Sequence, residues 1–251
     1  MNYMKIYYTM EAEGLRHHVR SALGVDARAW NRFNSRVQEW RRQLESRYAI
    51  PAELGLHPCE LVSVQESCAC GCHRQPEPRQ GIEVIAGGLR LIEDFAVESG
   101  GVAVTNVCLD KNDIPAYRQV GLDRLFNRIN ATEAQAGGHA FVIFGQEPEE
   151  MLSSLYQRLR NYNPVPMRHG ACDDGWYTRN LPIERVIGSP AFRDPDGDCL
   201  LQTAGLVAHA LLWREAPPAT DSGGLAGAFD VLDRALNRRA ARHDRQGVVR
   251  R

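Results

Sequence analysis

The sequence is short of several things, and each absence narrows the field. Net charge is nearly absent: 30 basic and 31 acidic side chains leave a formal -1 over 251 residues. A chain so balanced does not present a polyanion-binding surface all round. Long apolar runs are missing, so no bilayer-spanning helix and no membrane partner are expected. The amino terminus enters a strand-like MKIYYT with no apolar h-region, so no secretory signal is expected either. Seven cysteines do not make an even disulfide framework. Together these point to a reducing, cytoplasmic setting. Internal repeats are absent, and no composition shift marks a second domain, so residues 1–251 read as one domain with a basic tail from about residue 242. Gly87-Gly88 and Gly137-Gly138 lack the lysine and Ser/Thr of a phosphate loop.

What is present is an alternation of strands and long helices. Lys5–Thr9 reads as a strand, central in its sheet, with Met10–Gly14 as its end and turn. Asp26–Tyr48 is helical, with Trp30, Phe33, Val37, Trp40 and Leu44 at core spacing. Leu54–His57 and Cys59–Val64 read as a short extended segment. Ile82–Val97 and Ile114–Ala136 are helices on either side of a valine-rich strand, Val102–Leu109. Ala140–Phe144 reads as a buried strand and Glu149–Arg160 as a helix, with a last short strand at Ile183–Ile187. The stretch Arg193–Arg214 is an acidic loop leading into a helix apolar almost all round, with Asp198 placed to cap it. On that helix Gln202, Gly205 and His209 share one face. A final helix, Leu225–Ala241, precedes a frayed tail. The pattern predicts an α/β fold, a mixed sheet covered on both faces.

Several segments resemble a bacterial and phage family, the domain of unknown function numbered 3800. The resemblance is carried by IYYTMEAEG on the first strand, GLHP at Gly55–Pro58, FVIFGQEPEE at Phe141–Glu150 and RLRNYNPVP at Arg158–Pro166. TRNLPIERVIGSPAFRD at Thr178–Asp194 leads on to LLQTAGLVAHALL at Leu200–Leu212. The resemblance implies a ribonuclease-H-like fold related to transposases and Holliday-junction resolvases. Enzymes of that fold hold two divalent metals between carboxylates, and the metals clamp the attacking and leaving oxygens of a phosphodiester. Magnesium needs hard oxygen ligands. Where the family pattern places an acid, this chain carries Met10, Gly55, Gly145 and Gly205. Glu11 alone keeps its place.

The resemblance therefore implies a catalytically degenerate relative that binds nucleic acid or a protein partner rather than cutting. Its emptied cleft would lie among Met10, Glu11, Gly55, His57, Gly145, Asp194, Gln202, Gly205 and His209. No cofactor is expected on this reading. The alternative is an active Mg- or Mn-dependent nuclease using displaced acids: Glu11, Glu13, Glu147, Glu149, Glu184, Asp194, Asp196 or Asp198. Candidate phosphate contacts are Arg32, Arg36 and Arg41 on the arginine-rich second element, Arg158, Arg160, Arg168 and Arg179, and the basic tail. Two cysteine hypotheses stand apart. Cys68, Cys70, Cys72 and His73 could hold a structural zinc, with His57 and Cys59 nearby. Cys199 or Cys72 could be a nucleophile, though no further pattern supports it. His17, His18 and His169 read as loop residues, and Trp30, Trp40 and Trp213 as core.

Overall fold

The structure, a computed structural model, describes residues 3–62, 77–145, 147–168, 176–217 and 224–250. Strand β1 (Met4–Glu13) turns back into β2 (His17–Asp26), and helix α1 (Trp30–Tyr48) follows. Next come α2 (Pro58–Val62), α3 (Pro78–Ser99), β3 (Val102–Asp110), α4 (Tyr117–Ala136), β4 (His139–Phe144) and α5 (Glu149–Asn161). A hairpin of β5 (Pro164–Arg168) and β6 (Trp176–Asn180) precedes β7 (Ala191–Phe192), α6 (Cys199–Glu215) and α7 (Leu225–Ala228).

The main sheet has the order β3-β2-β1-β4-β7. The first three strands form an antiparallel meander, and β4 and β7 add in parallel beyond β1. This is a ribonuclease-H-like mixed sheet flanked by helices, as expected. Side-chain alternation along β1 divides the interior in two. Tyr8 and Ala12, with Met10 beside them, pack toward α1, α3 and α6. Tyr7 points the other way, to the core under α4 and α5.

Helix α6 is buried from Leu200 to Ala208 and again from Ala210 to Trp213, which explains its lack of a polar face. Asp198 caps it as expected: its carboxylate accepts from the Leu200 and Leu201 amides at 2.9 and 3.1 Å. Among the described residues, no helix is long and apolar enough to cross a membrane. Trp213 is buried, and Trp30 and Trp40 pack against the same core.

Several expectations are corrected. His17 and His18 begin β2, and His18 is fully buried. Strand β1 continues through Met10 to Glu13. The segment after Gly55 forms the short helix α2 instead of extended chain. The Ile183–Ile187 segment contributes only a bridge, Val186 to Ala140, and the edge strand is β7. The final helix stops at Ala228. Beyond it the chain passes through 3-10 turns and lies along β3.

The tail is docked. Cys108 N donates to Val249 O and Val249 N to Asn106 O, both at 2.9 Å, with Val248 and Val249 buried. Arg250 pairs with Glu215 and Asp244. These ladder bonds extend the sheet edge and keep the basic tail from hanging free.

Candidate functional site: a cleft filled by Met10

Of the four positions where the family resemblance implies metal-binding acids, three converge in space and the fourth adjoins a turn beside them. Met10 leaves β1 toward α6. Gly145 ends β4, its amide donating to Thr9 O at 3.3 Å. A Cβ on Gly145 would lie 2.5 Å from Met10 Sδ and 3.1 Å from Pro195 Cγ. A Cβ on Gly205, on the facing side of α6, would lie 3.8 Å from Met10 Cε. The methionine side chain therefore occupies the space between the two glycines. A thioether there offers a soft, neutral sulfur where magnesium would need oxygen.

The fourth position adjoins the same turn. A Cβ on Gly55 would meet Asp196 Oδ1 at 2.6 Å and His57 Nε2 at 2.9 Å. Those two groups pair with each other at 3.1 Å, Asp196 exposed and His57 half-buried. The turn Pro195–Gly197 thus touches both halves of the cleft, Pro195 beside Gly145 and Asp196 beside Gly55.

The polar residues of the cleft have structural partners. Gln202 Nε2 donates to Pro195 O at 2.8 Å and Asp196 O at 3.0 Å, tying the turn to α6. Asp194 accepts from the Asp196 amide at 3.1 Å. His209 Nδ1 lies 3.0 Å from Gly205 O, and its ring packs on Trp213. Burial lowers the His209 pKa, against the raising effect of that backbone contact. This face of α6 therefore braces the turn.

Glu11 does not belong to the cleft. It faces the opposite side of the sheet from Met10, the reversal that one residue along a strand produces. There it pairs with Arg20 at 2.9 Å, and Arg20 also donates to Glu147. Arg20 is almost completely buried between them. Burial raises the Glu11 pKa, while the Arg20 charge opposes that rise. Glu13, next on the same face, accepts from Lys111, Tyr117 and Arg118. Burial alone would raise its pKa, but those bonds outweigh it and bring Glu13 down to about 2. Three of the displaced acids are thus engaged in a network on the far face. Asp198 is a helix cap that also pairs with Arg193 at 3.0 Å. Among the described residues, no group of three or more His, Cys, Asp or Glu is arranged to hold a metal ion.

The expected phosphate contacts are dispersed. Arg36 pairs with Glu98 and Arg158 with Asp123. Arg160 donates to the Tyr156 hydroxyl at 3.1 Å, and Arg32 lies over the Phe95 ring at 4.8 Å. Arg41 is buried and donates to the carbonyls of Pro51, Ala52 and Leu54, so it holds a loop. Arg179 is exposed on β6, and Arg168 lies in β5. The zinc candidates Cys68, Cys70, Cys72 and His73, and likewise His169, lie outside the described residues. Cys199 starts α6, but burial pushes its thiol pKa up, the reverse of what a nucleophile needs. No family profile, curated protein or solved structure matches the chain.

Proposed function

We propose that this chain is a catalytically degenerate ribonuclease-H-like protein, of the kind the resemblance to family 3800 implies, that acts by binding a partner. The observation that carries the reading is the Met10 side chain seated between Gly145 and Gly205. Two-metal hydrolysis needs carboxylate oxygens converging on that space, and the side chains on its walls are a thioether and two hydrogens. The acids that remain nearby are Asp194, Asp196 and, across a small pocket that Arg41 and Arg42 also line, Glu53. Without a bound cation they repel a phosphodiester. A nucleic acid would therefore bind through arginines elsewhere on the surface, and the cleft itself suits a protein partner. A cytoplasmic location accords with the unpaired thiols of Cys59, Cys108 and Cys199.

A second reading has one observation in its favour. Asp196 and His57 stand where a Gly55 side chain would reach, so they could hold a single weakly bound ion. One experiment separates the two. The purified protein is incubated with manganese and with DNA, RNA and RNA–DNA hybrid. No cleavage is expected, and the triple variant Met10→Asp/Gly145→Asp/Gly205→Asp is expected to gain manganese binding by calorimetry. Manganese-dependent cleavage by the unaltered protein that disappears in Asp196→Asn would overturn the proposal.

A further inference from the structure

A cavity of about 740 Å³ opens between α4 and the C-terminal segment. It lies beside the helix that covers the sheet face opposite Met10. Arg128 of α4 and Arg239 and Arg242 of the C-terminal segment form its walls. Ala131, Ala240 and Val249 supply apolar surface within it.

The charge of this cavity is uncompensated. Elsewhere among the described residues some arginines have acidic partners, as Arg28, Arg36, Arg118, Arg158 and Arg238 do, and others such as Arg90 stand singly; here three unpaired arginines share one cavity. Among the described residues, the side chains of Arg128, Arg239 and Arg242 have neither an ion pair nor a hydrogen bond. The one acid in the lining, Asp244, is fully engaged. Its Oδ1 accepts from the amides of Gln246 and Val248, and its Oδ2 accepts from Arg250 Nε. Arg250 itself is neutralised by Glu215 as well. One turn before Arg128 stands Arg124, whose Nη1 is buried without a partner.

Three free guanidinium forks around a concave, partly apolar space match a phosphoryl group attached to an organic body. The volume is that of a small-molecule site. We propose that this cavity binds a phosphate-bearing ligand of nucleotide size, with Arg128, Arg239 and Arg242 on the phosphoryl oxygens and the organic part against the apolar wall. The chemistry is shared by a free nucleotide and by one nucleotide unit of a single strand. The inference goes beyond the emptied-cleft reading and does not depend on it.

The test titrates the intact protein with ADP and, separately, with a short oligothymidylate by calorimetry. Saturable binding of at least one probe is expected. Arg239→Gln/Arg242→Gln should weaken it at least about tenfold, while Arg79→Gln/Arg90→Gln, the same charge change on α3, should leave it alone. Tighter ADP assigns the site to a free nucleotide, and a tighter oligomer with a steep salt dependence assigns it to a strand. Far-ultraviolet circular dichroism checks that the double variant folds, and Arg128→Gln, a single change on the exposed side of α4, provides the same readout if it does not. Absence of saturable heat for both probes at millimolar concentration would overturn the proposal. So would affinities unchanged in all the cavity variants. Met10→Asp should bind the probes as the unaltered protein does, so a failure here is distinguishable from a failure of the cleft reading.

Discussion

Replacing Gly145 by alanine puts a methyl group where Met10 already lies. The new Cβ would stand 2.5 Å from Met10 Sδ and 3.1 Å from Pro195 Cγ, against ordinary contacts of about 3.5–4.0 Å. Gly145 has no positive φ, so its backbone accepts alanine and the whole penalty is steric. Overpacking of this kind costs about 1–3 kcal/mol. The flexible thioether can yield toward Gly205, which keeps the expected value near the lower half of that range. Met10→Ala alone removes a side chain that is only half-buried, so its loss should be about 1–2 kcal/mol, below the usual core value. In the double variant the clash has no second partner. Its destabilisation should fall short of the sum of the singles by about 1–2 kcal/mol. Urea unfolding followed by circular dichroism, with equal slopes across the four proteins, gives that interaction energy. Additivity within about 0.5 kcal/mol would mean that Met10 does not fill the space beside Gly145, and the account of the cleft would fail with it.

Gly205→Ala should do the opposite. Its Cβ meets Met10 Cε at an ordinary 3.8 Å, and a mid-helix alanine gains up to about 1 kcal/mol over glycine; a loss of stability in the same assay would show that the space is not open. Glu147→Gln should lower stability by about 2–3 kcal/mol, because it strips one of two carboxylates from an arginine that is 2% exposed. A shift below about 0.5 kcal/mol in the urea experiment would contradict the network. His18 predicts an acid sensitivity. Burial and then the Arg20 charge bring its pKa down to about 3, against the pull of Glu13. In the unfolded chain it takes its proton near pH 6.5, so its contribution is intact above that pH and is lost as pH falls toward 3. The slope from this group approaches about 1.4 kcal/mol per pH unit. Between pH 6.5 and 5, His18→Phe should flatten the decline of the urea midpoint relative to the unaltered protein; parallel curves would refute it.

The parts of the fold that were readable in the sequence are those where one physical demand dominates. Helix α6 is apolar on every side because it is buried on every side, and its cap was readable from one aspartate. Valine-rich β3 and the short apolar β4 announced themselves in the same way. Strand β2 did not, because His17, His18, Arg20 and Ser21 look like surface residues. Arg20 finds Glu11 and Glu147, and Ser21 finds Asn106 at 2.6 Å, and no local pattern encodes such partners. The β5–β6 hairpin was hidden by Pro164 and Pro166, which a two-stranded ribbon tolerates on its free edges. The arginine- and alanine-rich stretch after Ala228 reads as helix by propensity, but bonds to the edge of β3 win. At the cleft, the convergence of Met10, Gly145 and Gly205, with Gly55 across the turn Pro195–Gly197, was readable only through a family pattern, since they come from four distant segments. Glu11 misled by adjacency, because a neighbour on a strand is a neighbour on the wrong face.

Met10 lies within β1 and packs against the core beside α6, whereas Gly145 and the turn Pro195–Gly197 stand just beyond the end of β4. A cage of carboxylates is self-repelling without its cations. Methionine and glycine remove that repulsion, and the methionine adds apolar contact with the core beside α6. The surrounding polar groups are then free for structural work: Gln202 holds the turn, Asp198 caps the helix, and Asp196 pairs with His57. On the proposed reading, such a cleft is a shaped surface without a cage of carboxylates. The uncompensated positive charge lies instead beside α4, on the side of the sheet away from the cleft. The site proposed for an anionic ligand is therefore the cavity beside α4 and not the braced cleft around Met10.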